Sequence, residues 1–190
     1  MMTTTISAAL RRCAAFTALF ALAAAPAFAS LKVGAAAPPF SAQASLGGKV
    51  FEFDMEGALK KGPVVLYFYP AAFTPGCTLE AHDFAAHIAD YKRLGATVIG
   101  VSHDPIDKLR KFSVSECRKK FAVASDGDLK ISHAYDAVIG FGPATYSNRT
   151  SYVIAPDGKI AYAYSSLDPS QHVANTLAAL KALKAQSAAR

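Results

Sequence analysis

The run Val64-Val65-Leu66-Tyr67-Phe68-Tyr69 is β-branched and aromatic and carries no charge. A strand with no polar face is expected at the centre of a sheet covered on both sides, which places the chain in the α/β class. Pro70 cannot continue the ladder, and a helix is predicted almost at once, with Thr74 as a suitable N-cap and Pro75 at the first helical position. Cys77 then falls in the first turn. Backbone amides there lack intrahelical partners, and the positive end of the helix dipole favours thiolate over thiol. A lone buried cysteine elsewhere is more often a small core hydrophobe; this placement predicts a nucleophile.

Periodicity and caps extend the alternation along the chain. After an extended lead-in through Pro38-Pro39 and a Gly47-Gly48 turn, a short strand is predicted over 50–53, then the buried strand over 64–69. The Cys77 helix carries Ala81, Phe84, Ile88 and Tyr91 on one side and stops at Gly95. A strand over 97–101 leads to Asp104-Pro105, read as a cap and first-position proline, and to a helix reaching about residue 116. A strand-like stretch at 121–124 and a short helix near 129–135 follow. Strands over 150–154 and 159–164 flank Asp157-Gly158, a strong hairpin signal. Asp168-Pro169-Ser170-Gln171 is read as the capped start of a last helix with a stripe of Val173, Leu177, Leu180 and Leu183.

Pro70, Thr74 and Cys77 stand in the spacing Pro-x-x-x-Thr-x-x-Cys, and here the chain resembles the peroxiredoxins. Tyr67-Phe68-Tyr69-Pro70, then Phe73 to Thr78 and Glu80, are most similar to the bacterioferritin-comigratory, or peroxiredoxin Q, branch. Further matches are the stretch 95–102, the Ser125-Asp126 step, and 148–154 leading into Pro156-Asp157-Gly158, so the resemblance runs from about Val33 to Leu183. It implies a thiol peroxidase on a thioredoxin-like fold, a central mixed sheet flanked by helices, with Cys77 as peroxidatic cysteine, Thr74 and Arg149 as its partners, and Pro70 shielding the site. It also implies no cofactor and no metal, hydrogen peroxide or organic hydroperoxides as substrates, a thiol reductant such as a thioredoxin-like protein, and a monomer.

These roles make separate physical sense. Sulfur attacks one peroxide oxygen while the other leaves with growing negative charge, so donors are needed at both. Arg149 supplies a permanently cationic fork, and the Thr74 hydroxyl can accept from a first-turn amide while directing its proton at the thiolate or peroxide. The amides of Gly76 and Cys77 complete the donor set, glycine letting substrate approach the backbone. Glu80 is read either as part of the substrate site or simply as an acidic residue in a first helical turn. Arg149 taken alone would be an ordinary surface charge ahead of a strand.

The chain departs from the branch at the resolving cysteine. Many relatives carry it five residues after the first, and that position here is His82. The other candidate is Cys117, forty residues beyond Cys77, at the expected end of the 104–116 helix. Relatives with a resolving cysteine in that helix place it elsewhere along it, so the match is by region. Two exported cysteines in an oxidising compartment usually pair, which favours Cys117 as resolving residue. The pocket around Cys77 implies that the two sulfurs lie too far apart to bond in the reduced fold. A packing cysteine in a one-cysteine enzyme is the other reading.

Arg11-Arg12 precede an uncharged run from Cys13 to Ala25, and Ala27-Phe28-Ala29 is an A-x-A pattern. Residues 1–29 are therefore expected to be a signal peptide, cut before Ser30 and directing residues 30–190 to the periplasm as one domain. Its apolar run is too short to span a bilayer and no later stretch qualifies, so no membrane association is expected after cleavage. Cleavage removes two arginines and no acid, lowering the net charge from +6 to +4. The remaining charges are scattered, which argues against a nucleic-acid partner. A dithiol oxidoreductase would want Cys-x-x-Cys, and Leu79 and Glu80 stand there instead. A metal module recruiting His82 or His87 meets a geometric obstacle, since those side chains rotate about 140° and 280° from Cys77 along a helix.

Overall fold

The computed structural model describes Met1 and residues 30–189; apart from Met1 the expected signal segment, with Arg11-Arg12, Cys13 and the cleavage pattern, lies outside the described residues. Strands are β1 Ser41–Leu46, β2 Lys49–Asp54, β3 Val64–Phe68, β4 Thr97–Ser102, β5 Ala122–Ser125, β6 Val138–Phe141, β7 Ala144–Ser147, β8 Thr150–Ile154 and β9 Ile160–Ser165. Helices are α1 Met55–Leu59, α2 Pro75–Arg93, α3 Ile106–Ser115, α4 Lys130–Ala134 and α5 His172–Ala188.

Seven strands form one mixed sheet in the order β2-β1-β5-β4-β3-β8-β9. β3 is parallel to β4 and β4 to β5, while β8 runs antiparallel to β3. All five β3 residues are buried, as a charge-free central strand requires. Val65, Tyr67 and the following Tyr69 join a cluster with Phe84 and Tyr91 of α2, Phe112 of α3 and Leu180 of α5. Val64, Leu66 and Phe68 face the other way, into a cluster with Met55, Tyr135 and Tyr152.

The expected apolar stripe of α2 is buried in full, and Gly95, at φ +75, follows its end. In the α5 stripe Val173 and Leu180 are buried, while Leu177 and Leu183 pack at the margin. Two local expectations are corrected, and two features are added. Asp168 accepts from the Ser170 amide at 3.0 Å but caps a single 3-10 turn over Pro169–Gln171, and α5 starts only at His172. Pro105 takes the N-cap position of α3, because the Asp104 carboxylate turns inward to better donors: the Ala72 amide at 2.6 Å, the Ser102 hydroxyl at 2.9 Å and Lys108 at 2.7 Å. The lead-in contains β1, which joins β2 to β5, and residues 138–147 form the separate hairpin β6–β7.

Candidate active site

Parallel β3 and antiparallel β8 bring two distant pieces of chain to one pole of the sheet. The register pairs Phe68 with Thr150, so the residue before β8, Arg149, stands beside the loop that leaves β3. That loop is a tight turn in which Phe73 takes φ +69, the Thr74 amide reaches the Ala71 carbonyl at 3.4 Å, and Asp104 holds the Ala72 amide. The exposed Phe73 ring packs edge-on against buried Phe112, centroids 5.2 Å apart, which anchors the turn from outside. Half-buried Pro70 opens this loop.

Cys77 is the third residue of α2 and 2% exposed. Thr74 occupies the N-cap position but does not cap: its hydroxyl donates to the Ala71 carbonyl at 2.9 Å, closing the turn instead. The amides of Gly76 and Cys77 therefore find no acceptor in that side chain. A Cβ on Gly76 would lie 3.2 Å from Arg149 Nη2, so glycine makes room for the guanidinium beside the helix.

Arg149 is 4% exposed and engages three groups in different directions. Nη2 donates to Cys77 Sγ at 3.4 Å, Nε to the Leu167 carbonyl at 3.0 Å, and Nη1 to Glu80 Oε2. Burial works against its charge, but Glu80 and the sulfur outweigh that and its pKa is raised. Glu80 is thus no exposed first-turn acid. It lies one turn further into α2, at 1% exposure, as the counter-ion of Arg149. Burial pushes its carboxyl up, and the charge and hydrogen bond of Arg149 pull it back down.

Behind Glu80 lies His172, which nothing in its local sequence singled out. Its Nε2 meets the Ser166 carbonyl at 3.0 Å, and a carbonyl only accepts, so Nε2 carries the proton. Nδ1 is left to accept from the Ser151 hydroxyl at 2.8 Å and lies 3.6 Å from Glu80 Oε1. Burial lowers His172 to about 4, so the ring is neutral near pH 7. Consecutive carbonyls of Ser166 and Leu167 therefore fix the His172 ring and the Arg149 fork together. His172 and Asp104 are the supporting residues that sequence reasoning missed; the only signal for Asp104 was the one read as a helix cap.

Cys117 follows the C-cap of α3, fully buried in the same cluster as Cys77. Burial, and secondarily Glu116, pushes its thiol far up. Among the described residues both cysteines are free. His82 pairs with Glu116 at 2.8 Å and His87 with Asp83 at 3.1 Å.

A buried thiol with a fixed guanidinium and two first-turn amides is equipped to attack an electrophile whose leaving atom becomes an anion. The AhpC/TSA family model matches residues 33–163. The chain is 33% identical over 126 residues to peroxiredoxin Bcp of Xanthomonas campestris pv. campestris, an alignment covering 63% of this chain and 76% of that one. Among solved structures, peroxidoxin BcpB of Mycobacterium tuberculosis is similar with a TM-score of 0.73 and 30% identity, over 80% of this chain and 97% of that one. The bacterioferritin comigratory protein of Xanthomonas campestris gives 0.66 and 30%, over 74% and 90%.

Proposed function

The chain belongs to the AhpC/TSA family and is a peroxiredoxin, a thiol peroxidase, and on that premise we propose that Cys77 is its peroxidatic cysteine. The observation that carries this reading is the 3.4 Å contact of Arg149 Nη2 with Cys77 Sγ, both groups buried. The Cys77 thiolate attacks one oxygen of R–O–O–H; an S–O bond forms, the O–O bond breaks, and the alkoxide leaves with a proton taken from solvent as ROH. The product on the protein is Cys77 sulfenic acid. Arg149 and the amides of Gly76 and Cys77 donate to the peroxide oxygens as charge develops. With its proton engaged by Ala71, the Thr74 oxygen accepts from the peroxide O–H, and Pro70 keeps water off the sulfur. Glu80 acts through Arg149 rather than on substrate.

The substrates are hydrogen peroxide and organic hydroperoxides. The bacterioferritin comigratory protein of Xanthomonas campestris has alkyl peroxide reduction activity, and exposed Phe73 and Leu79, close to Cys77 in sequence, suit an apolar substituent here. Cys117 resolves the sulfenic acid, a thioredoxin-like thiol protein reduces the resulting disulfide, and the enzyme works as a monomer. Its periplasmic location rests on residues 1–29 alone, and a mature N-terminus at Ser30 is the check. A one-cysteine cycle is the second reading, favoured by the complete burial of Cys117.

Peroxide consumption with a thiol donor tests the assignment. Cys77→Ser should abolish it, because the serine hydroxyl is far less acidic and supplies no anion near neutrality. Retention of a tenth of wild-type turnover would overturn it. Mass spectrometry after one equivalent of peroxide separates the two cycles: a Cys77–Cys117 link supports internal resolution. Its absence, with normal turnover of Cys117→Ser, supports the one-cysteine cycle.

A further inference from the structure

We propose that His82 and Glu116 form a strap that holds the end of α3, and with it Cys117, against the Cys77 helix, and so sets how fast Cys117 reaches oxidised Cys77. This rests on the reading that Cys117 resolves Cys77. His82 Nε2 and Glu116 Oε2 are 2.8 Å apart, joining residues 34 positions apart in the chain. Their side chains are 36% and 19% exposed, so water screens the contact only in part. One end lies five residues past Cys77 on α2, and the other immediately precedes Cys117.

The segment so held is strained. Arg118 and Lys119 are successive non-glycine residues with φ of +51 and +58, a conformation that L side chains seldom adopt. It is kept by bonds from the Cys117 amide to the Phe112 carbonyl at 3.0 Å, from Lys119 to Ser113 at 2.9 Å and from Lys120 to Cys117 at 2.9 Å. Opening this turn releases strain, while the strap opposes opening from the α2 side.

Opening is what resolution needs. The Cys117 sulfur attacks the Cys77 sulfenic sulfur, an S–S bond forms, and the S–O bond breaks. The departing hydroxide takes the Cys117 proton and leaves as water. A fully buried Cys117 thiol is a poor nucleophile, so exposure of the α3 end precedes the bond. His82 and Glu116 are positioning residues for this step, and peroxide attack does not involve them.

Rapid quench of the full chain after one equivalent of hydrogen peroxide follows both steps, with dimedone trapping the sulfenic acid and mass spectrometry reading the disulfide. Partly exposed polar contacts are weak, so His82→Ala and Glu116→Ala are each expected to speed disulfide formation about two- to fivefold. The double variant should be no faster than either, and sulfenic acid formation should be unchanged in all three. His82→Gln, whose amide still donates to Glu116, should return the rate to that of wild type. A His82→Ala chain that forms the link at the wild-type rate or slower, while Glu116→Ala is faster, would assign the effect to the Glu116 charge and overturn the strap. Equal rates in every variant also overturn it, with internal resolution intact. Absence of the link in wild type instead removes internal resolution, and the strap's role with it.

Discussion

Arg149 is fixed from three sides, which suits it to the role proposed for it. A guanidinium held by Glu80 and the Leu167 carbonyl does not have to reorient as charge moves from sulfur to peroxide oxygen. Arg149→Ala is expected to slow single-turnover peroxide reduction by about 10²–10³. A variant within threefold of wild type would remove Arg149 from the site. Arg149→Lys should rescue little, because one ammonium cannot reach the sulfur, the carboxylate and the carbonyl together. Both changes strand Glu80, so the rates belong well below the unfolding temperature. That Cys77 and Arg149 come together was legible because the motif fixes a local spacing and a charge ahead of a strand. The partner of Glu80 was not, since helical position says nothing about which side chain crosses from β8. His172 was invisible for the same reason: its role comes from the fold of 165–168 over β8.

At the level of elements, β3 carries the site because both its faces are covered. Tyr67 stacks on Phe84 with centroids 4.3 Å apart, and the space for its ring comes from Gly100 on the parallel neighbour β4. A Cβ on Gly100 would lie 2.7 Å from the Tyr67 ring. Gly100→Ala should therefore displace the ring and cost about 1–3 kcal/mol in urea unfolding. A loss below about 0.5 kcal/mol would mean that the ring has room to move. Hydrophobic period and turn chemistry made β3, α2, β4 and β8 readable from sequence. β1 was hidden by its mixed Ser-Ala-Gln-Ala-Ser-Leu run, which becomes a strand through pairing on both sides. The β6–β7 hairpin was hidden by Gly140, Gly142 and Pro143, which mark a loop as readily as a turn. Asp104 reads locally as a cap and is drawn elsewhere by a tertiary donor, the Ala72 amide.

For the whole molecule, the neutral burial of His172 makes acid a threat to the fold. In the unfolded chain this ring binds a proton near pH 6.5; in the fold its pKa is lowered to about 4. Its contribution is therefore fully present above about pH 6.5 and is lost as pH falls towards 4, up to about 3 kcal/mol. Glu80, whose burial pushes its carboxyl up against the pull of Arg149, acts in the opposite sense as pH rises. Urea unfolding of His172→Asn beside wild type isolates the first effect. The variant should be less stable at pH 7, and the gap should close as pH falls to 4. A gap independent of pH would mean that His172 is not held neutral.

Arg149 and Cys77 are 72 residues apart in the chain. The thiol meets its guanidinium only after β8 has paired with β3, a long-range contact whose loop-closure entropy must be met first. While the chain is still leaving the ribosome, or whenever it is unfolded, Cys77 is an unremarkable cysteine that peroxide has little reason to single out. On the proposed assignment the fold thus acts as a timer on reactivity: the sulfur meets its guanidinium only once the surrounding side chains are in place.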